Sequence, residues 1–431
     1  MPGLVVDLRF RGLIHQVTDE GLLAKLDVGG LSAYAGFDPT ASSLHIGNLL
    51  QLCTLRRLQL AGHRPIPLAG GGTGFIGDPS GKSDERNLLD VRELAANIDG
   101  IRPQLARFLD FSDAAGGSRA LLADNAAWLG TVSLVTFLRD VGKHVTVNEM
   151  IKKDSVRSRI ERDNQGISYT EFSYMLLQAY DFLRLHEDEG CDLQIGGSDQ
   201  WGNISLGVEV VGKVTGDHVY GLTTPLVTKA DGTKFGKTAE GTVWLDAART
   251  SPYRFYQFFV NTEDARVGDY LRFFTFYDHD EITALDAETA AHPERRAAQR
   301  ALAAALCDLV HGEAETARVE RASEALFGEE IDTLDETTLL EVFEDAPSSG
   351  LARDALGTDG SGGVDIVSAL TSAGLCKSRS EARRLAESGG VYVNNRRVDG
   401  PERIIGAHDL LAGRVVVLRK GRRDYHLLRV E

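Results

Sequence analysis

Short apolar, β-rich runs alternate with helical patterns up to about residue 226, which predicts an α/β fold built on a parallel sheet. Two later shifts predict that this domain is not alone. From about 251 to 343, Ala, Leu, Glu and Arg dominate, as in AHPERRAAQRALAAALCDLVHG, a mostly helical pattern. Residues 346–363, APSSGLARDALGTDGSGG, are rich in Gly, Ser and Pro and short of large apolar residues, and read as a linker before a compact final piece. A chain of 431 residues is expected to form two or three domains. The expected division is 1–226, 227–345, the linker 346–363, and 364–431.

With 42% hydrophobic and 26% charged residues, the composition is that of a soluble globular protein. No apolar run approaches the ~20 residues of a membrane span, and the N-terminus has no charged-then-apolar signal pattern, so a cytoplasmic protein with no membrane partner is expected. Cys53, Cys191, Cys307 and Cys376 lie far apart with no C-x-x-C, against both a disulfide framework and a thiolate zinc site. The net charge is −16, but it is uneven: 364–431 holds 13 Lys/Arg against 8 Asp/Glu, +5, leaving −21 for the remainder. A basic tail on an acidic body suggests a phosphate-rich partner for the tail, although a solvated basic face accounts for the charge equally simply.

Taken in order, the first strand is Ser32–Phe37, running into a turn at Asp38-Pro39-Thr40. A helix is expected near Ser43, with His45, Gly47 and Asn48 in its first turns, where free N–H groups favour phosphate. The small Gly47 would let a flat base pack there. The second strand, Arg64–Ala69, leads into GGGTGFIGDPSGKS. This stretch matches G-x-G-x-x-G, but on the second strand and before a turn instead of a helix, and it misses the phosphate-loop spacing by one residue. A glycine-rich turn allowing close backbone approach is the better reading, with a helix after Ser83. Further strands are expected at 119–123 and 192–195. Between them, Ser168-Tyr169-Thr170-Glu171 marks a helix start. Tyr174, Gln178 and Asp181 then share one face of an otherwise apolar helix that bears neither Lys nor Glu there, which favours a pocket. Gly196-Gly197 closes a strand and Asp199 opens a helix. The final piece reads as two helices, a hairpin turning at Asn394-Asn395, and a small sheet.

Asp38-Pro39-Thr40 followed by Leu44-His45-Ile46-Gly47-Asn48 resembles the HIGH signature of class I aminoacyl-tRNA synthetases, and Lys234-Phe235-Gly236-Lys237-Thr238 resembles their KMSKS signature. GGGTGFIGDPSGKSDER, TEFSYMLLQAYDF and LQIGGSDQWGN are similar to the bacterial tyrosyl-tRNA synthetase family, and 364–431 resembles an S4-type RNA-binding domain. The resemblance spans essentially the whole chain. It implies a Rossmann-like parallel-sheet catalytic domain with an inserted tRNA and dimer region, a helical domain, and a small α+β S4-like domain. It also implies ligation of tyrosine to tRNA(Tyr) through tyrosyl-adenylate, with ATP as substrate, Mg²⁺ accompanying it, no tightly bound metal or organic cofactor, and a homodimer.

On that resemblance, Tyr34 and Asp181 take the phenolic hydroxyl of tyrosine, Asp78, Tyr174 and Gln178 its ammonium group, and Gln194 and Gln200 lie along the amino acid and its adenylate. Gly36, Asp38, His45, Gly47, Asn48, Gly197, Asp199 and Lys237 meet ATP, Asn48 standing where the signature has a second His. The carboxylate of tyrosine is already a nucleophile, so the first step needs charge stabilisation on the phosphates and no general base. Thr40, His45, Lys82, Arg86, Lys234, Lys237 and Thr238 are the candidates for it. Lys152, Lys153 and Arg157 are candidates for the acceptor end of tRNA, and Lys377, Arg379, Arg383, Arg384, Arg396 and Arg397 for its backbone. The rivals are a synthetase for tryptophan, opposed by the hydroxyl-directed Tyr34 and Asp181, a non-enzymatic S4 RNA binder, opposed by His45, Lys234 and Lys237, and, distantly, a dehydrogenase.

Overall fold

A computed structural model describes residues 3–78, 80, 90–153, 156–157, 160, 166–228, 235–238, 241–325, 330–344, 346–356, 362–421 and 424–430. The chain divides into two compact units, 1–250 with 259–310, and 251–258 with 311–431.

The first unit is built on six strands: β1 (Gln16–Val17), β2 (Ser32–Phe37), β3 (Arg64–Ala69), β4 (Ala123–Asp124), β5 (Cys191–Gly197) and β6 (Tyr220–Thr224). They lie in the order β1-β6-β5-β2-β3-β4, parallel throughout except for β1 at one edge. β2 and β3 are in register from Ser32 opposite Arg64 to Phe37 opposite Ala69. A central parallel strand is covered on both faces, so β2 is buried along its length except at Gly36. From β2 the chain winds one way through β3 and β4, and β5 and β6 continue on the other side. The order therefore reverses between β2 and β5, and open α/β sheets bind ligands at the carboxyl ends of such a pair.

Helix Leu49–Leu60 follows β2, and Val91–Phe108, capped by Asp90, follows β3. Ser168 caps helix Tyr169–Glu189 by accepting from the Glu171 N–H at 3.2 Å, and Gly190 ends it in the left-handed region. Met175, Ala179 and Phe182 on that helix pack with Tyr34, Ile66 and Leu206 in the core.

Two elements differ from expectation in this unit. The strand expected at 119–123 is reduced to β4. The helix expected near Ser43 begins later, as a single 3-10 turn, Ile46–Asn48, leading into Leu49–Leu60. The reason is local: His45 is extended (φ −125°, ψ 169°), its Nδ1 accepts from the Gly47 N–H, and its own N–H donates to Asn48 Oδ1. The start expected for the helix after Ser83 falls at 84–89, outside the described residues.

A short hairpin, β7 (Lys237–Thr238) and β8 (Gly241–Thr242), also belongs to this unit. The helices Asp264–Phe274 and His279–Ala291 complete it, together with most of Ala297–His311.

The second unit holds β9 (Ser348–Leu351), β10 (Val364–Asp365), β11 (Val391–Val393), β12 (Arg396–Arg397), β13 (Ile404–Ile405), β14 (Val415–Lys420) and β15 (Asp424–Val430). Five of these form a sheet in the order β12-β11-β14-β15-β9. Asn394 and Asn395 both adopt positive φ (49° and 61°), as a two-residue hairpin requires. The segment expected as linker is partly structural. β9 runs parallel to β15, with Ser348 opposite Leu427, and Leu356 is buried with Ile366, Leu370 and Val416. Few apolar residues sufficed, because a strand added to an existing sheet edge needs backbone pairing more than side-chain bulk. No helix among the described residues is long and apolar enough to cross a membrane.

Candidate active site

At the carboxyl ends of β2 and β5 lies a cavity of about 1080 Å³. Fifteen of the residues singled out from the sequence line it: Tyr34, Gly36, Asp38, Thr40, His45, Gly47, Asn48, Asp78, Tyr174, Gln178, Asp181, Gln194, Gly197, Asp199 and Gln200. Residues more than 160 positions apart thus meet where strand order alone predicts a ligand.

The end around Tyr34 and Asp181 is polar and buried. Asp181 is 2% exposed, yet both of its oxygens accept hydrogen bonds, Oδ1 from Trp128 Nε1 at 2.7 Å and Oδ2 from Asn125 Nδ2 at 2.9 Å. Burial pushes its carboxyl up to about 7, against the pull of those two donors. Tyr34 is equally buried. Burial, reinforced by the charge on Asp181, raises its phenol well above the usual range, and its hydroxyl has no partner among the described residues. A buried hydroxyl left unpaired is costly unless something comes to it, and this one faces a ligand-sized space. Gln194 Oε1 is a second buried acceptor with no partner among the described residues.

Toward the middle, Gln178, Gln200, Asn203 and Asp78 form one network. Gln200 Nε2 donates to Asp78 Oδ2 at 2.6 Å, and Gln178 Nε2 donates to Gln200 Oε1 at 3.3 Å. Asn203 Nδ2 reaches Gln178 Oε1 at 2.9 Å and Gln200 Oε1 at 3.1 Å. The Ser80 N–H holds the other Asp78 oxygen at 2.9 Å. Oxygen acceptors converge here, which suits a cation. Tyr174 Oη donates to Asp38, 3.3 Å from Oδ2.

The outer end is formed by backbone and glycine. A Cβ on Gly36 would meet none of the described residues within 4 Å, so among them the strand is bare where a ligand could lie against it. At Gly197 a Cβ would come within 2.7 Å of Asp199 Oδ1. At Gly47 a Cβ would lie 2.8 Å from the His45 ring, so the glycine also makes room for the histidine.

Backbone bonds also tie the two signature segments together. Ile46 N–H donates to Val243 O (3.1 Å), Leu245 N–H to Leu44 O (2.9 Å), and Val243 N–H to Gly236 O (3.2 Å). Gly236, at φ +92°, packs against Ile46, where a Cβ would be 2.9 Å from Cγ1. Lys237 and Thr238 form β7, opposite Thr242 and Gly241. Lys82, Arg86 and Lys234 lie outside the described residues. Among the described residues no three His, Cys, Asp or Glu side chains come together as a metal nest.

The basic candidates separate into two kinds. Lys377, Arg379, Arg383, Arg384, Arg396 and Arg397 are all exposed on the second unit. Several have an acid at hand: Asp365 is 3.6 Å from Arg379, Glu402 4.0 Å from Arg383, and Asp332 2.8 Å from Arg396. Lys152 and Arg157 are exposed on the first unit. Lys153 is not: it is 17% exposed, and its Nζ donates to Ser205 Oγ at 2.8 Å and lies 3.7 Å from Glu209.

The sequence reading missed Thr73, Asn125, Trp128 and Asn203. Asn125 and Trp128 did leave a trace, since a polar residue and an aromatic directly follow an edge strand at the ligand end of the sheet.

Comparison with known proteins gives the same reading. The family described as "tRNA synthetases class I (W and Y)" matches residues 28–328, and the "Tyrosine--tRNA ligase SYY-like C-terminal domain" matches 340–428. The chain is 54% identical to a tyrosine–tRNA ligase of Roseiflexus castenholzii over 430 residues, covering 100% of both chains. To that of Geobacillus stearothermophilus it is 51% identical, covering 99% of each. Among solved structures, a C-terminally truncated mitochondrial tyrosyl-tRNA synthetase of Aspergillus nidulans superposes with a TM-score of 0.68 at 34% identity, covering 76% of this chain and 95% of that one.

Proposed function

The chain belongs to the class I tRNA synthetases of the W and Y group, and on that premise we propose how its residues carry out tyrosine–tRNA ligation. The enzyme joins tyrosine to tRNA at the expense of ATP. The observation that carries the choice of amino acid is the pairing of Tyr34 and Asp181 at the closed end of the cavity. Asp181, held by two donors of its own, accepts from the phenolic hydroxyl, and the Tyr34 hydroxyl donates to it. Phenylalanine would leave the Tyr34 hydroxyl unpaired and Asp181 without the substrate donor, and an indole would have to displace one of them. The selectivity for tyrosine over phenylalanine without editing is a known example of this principle.

Asp78, Gln178 and Tyr174 then receive the ammonium group, with Gln200 orienting Asp78 and Asn203 orienting Gln178. Gln194 and Gln200 lie along the amino acid. Asp199 accepts from ribose hydroxyls, and Gly36, Asp38, Gly47, Asn48 and Gly197 bound the nucleotide. In the first step a tyrosine carboxylate oxygen forms a bond to the α-phosphorus while the bond to the bridging α–β oxygen breaks. Pyrophosphate leaves with that electron pair. Thr40 and His45, with Lys82, Arg86, Lys234, Lys237 and Thr238, stabilise the charge that builds on the phosphates. A magnesium ion would arrive on the ATP phosphates, and none of these steps is assigned to it. In the second step a ribose hydroxyl of the tRNA terminus attacks the adenylate carbonyl, and AMP leaves.

The exposed arginines and Lys377 of the second unit, and Lys152 and Arg157 of the first, hold tRNA phosphates. Leu134, Val135, Leu138, Val147 and Ile151 are exposed apolar side chains of the first unit, and a second copy of the chain would cover them. The reaction belongs in the cytoplasm, where charged tRNA is used. Amino-acid-dependent exchange of labelled pyrophosphate into ATP tests the reading. Tyrosine should support exchange and phenylalanine and tryptophan should not. Exchange with tryptophan alone would reject it, and no exchange at all would favour the plain RNA binder.

A further inference from the structure

The glycine-rich turn Gly70–Gly77 holds no phosphate in the proposed reaction, yet it is joined to the hydroxyl end of the cavity by a continuous buried chain of hydrogen bonds. The Asn125 amide sits at its centre and is fully engaged. Its Oδ1 accepts from the Gly72 N–H at 2.7 Å and lies 3.4 Å from the Thr73 nitrogen. Those backbone donors fix which way the amide faces, so its NH₂ group must point inward. One hydrogen goes to Asp181 Oδ2 at 2.9 Å and the other to Thr73 Oγ1 at 3.0 Å. Thr73 then passes its own hydroxyl hydrogen to Asp38 Oδ1 at 3.2 Å, and Asp38 also accepts from Tyr174. Thr73 and Asn125 are 2% and 1% exposed. A Cβ on Gly72 would strike Leu129 Cβ at 2.9 Å, so the turn can lie this close only as glycine.

We propose that Thr73 is a positioning residue for tyrosine selection, which through Asn125 fixes Asp181 as the acceptor for the phenol and through its own hydroxyl fixes Asp38 at the opposite end. The proposal rests on reading the cavity as the tyrosine pocket. The hydrogen-bond chain is directional: each of its bonds has its donor and acceptor set by the backbone N–H groups of the turn. Removing the Thr73 hydroxyl leaves one Asn125 hydrogen without its partner at a buried site, and turning the amide to pair it elsewhere takes it away from Asp181. The loss through Asp38 is shared by both substrates, while the loss through Asn125 falls only on the one with a hydroxyl, so the ratio between them should drop.

The test is pyrophosphate exchange with tyrosine and with phenylalanine on the full chain, for Thr73→Val, Thr73→Ala, Thr73→Ser, Asn125→Ala and the Thr73→Val/Asn125→Ala pair. Valine keeps the shape of threonine. It should lower the tyrosine-to-phenylalanine ratio of kcat/KM about tenfold, the usual scale for one buried hydrogen bond. Alanine should do the same, serine should restore the ratio, and the double variant should be no worse than Asn125→Ala alone. An unchanged ratio in a folded Thr73→Val or Thr73→Ala protein would overturn the proposal. So would an equal loss for both amino acids, or failure of both variants to fold, since either result makes the hydroxyl a general structural group. A wild-type chain without tyrosine-dependent exchange would instead overturn the tyrosine-pocket reading itself.

Discussion

The hydroxyl end of the cavity and the basic face of the second unit use polar side chains in opposite ways. At the first, Asp181, Asn125 and Thr73 are almost completely buried and each bond has a fixed donor and acceptor. At the second, every candidate arginine is exposed, and several lie within 4.0 Å of an acid on the same unit. A buried group discriminates because water cannot replace a missing partner. An exposed arginine exchanges one solvated partner for another, so it positions a phosphate without reading it. The contrast predicts that chemical identity is read in the cavity, insensitively to salt, and that tRNA is held on the basic face, sensitively to it.

The largest expected effect tests the buried half. Asp181→Ala should cut tyrosine-dependent exchange by at least ~100-fold, because it removes a charged acceptor and strands Asn125, Trp128 and the substrate hydroxyl together. An unchanged rate would remove Asp181 from the pocket. The next effect is of pH. With its carboxyl near 7, Asp181 becomes protonated as pH falls through neutrality and stops being a pure acceptor. The kcat/KM for tyrosine should then fall about tenfold per unit below pH 7, reporting the free enzyme. For stability the sign is opposite. A carboxyl whose folded pKa is raised binds more protons folded than unfolded between about 4 and 7, so its contribution is lost as pH rises through that window. Thermal unfolding of wild type against Asp181→Asn at pH 5 and pH 8 measures it. A wild-type Tm that gains as much as the variant's on going from pH 5 to pH 8 would contradict the assignment.

The exposed half calls for a gentler probe than deletion. Removing 364–431 would strip β15 from β9 and uncover Leu356, so lost charging could reflect lost folding. The pair Arg383→Gln/Arg384→Gln keeps both side chains solvated. It should reduce tRNA charging several-fold near physiological salt, lower the slope of log affinity against log salt by about one for each phosphate no longer held, and leave exchange unchanged. A charging defect that is the same at every salt concentration would argue against phosphate binding at these positions.

The two halves also differed in how well the sequence revealed them. The strands Ser32–Phe37 and Arg64–Ala69 were readable to the residue, because central parallel strands are continuous apolar runs bounded by turns. Tyr174, Gln178 and Asp181 were readable because three polar residues aligned on an apolar helix would be costly to bury unless they faced a polar ligand. Asn125 and Thr73 were not, since their importance lies in hydrogen bonds to partners 35 or more positions away. β9 was hidden in a Gly/Ser-rich segment for a related reason: it is held by pairing to β15, about 75 residues later, and not by its own composition.

The smallest expected effect concerns Lys153, which the sequence grouped with Lys152 and Arg157 as a tRNA contact. Its ammonium is already occupied by Ser205 and sits beside Glu209, while its two companions are exposed. A lysine can turn toward a phosphate only by giving up those partners, so any gain from the phosphate would be offset by what it leaves. Lys153→Ala should therefore lower stability by roughly 1 kcal/mol or less, as partly exposed pairs do, and leave tRNA charging within about twofold of wild type. Lys152→Ala and Arg157→Ala should weaken charging more, in a salt-dependent way. If Lys153→Ala weakened charging as much as they do, in a salt-dependent way, the lysine would have to swing out when tRNA arrives. The division between buried, fixed groups and exposed, exchangeable ones would then fail at this position.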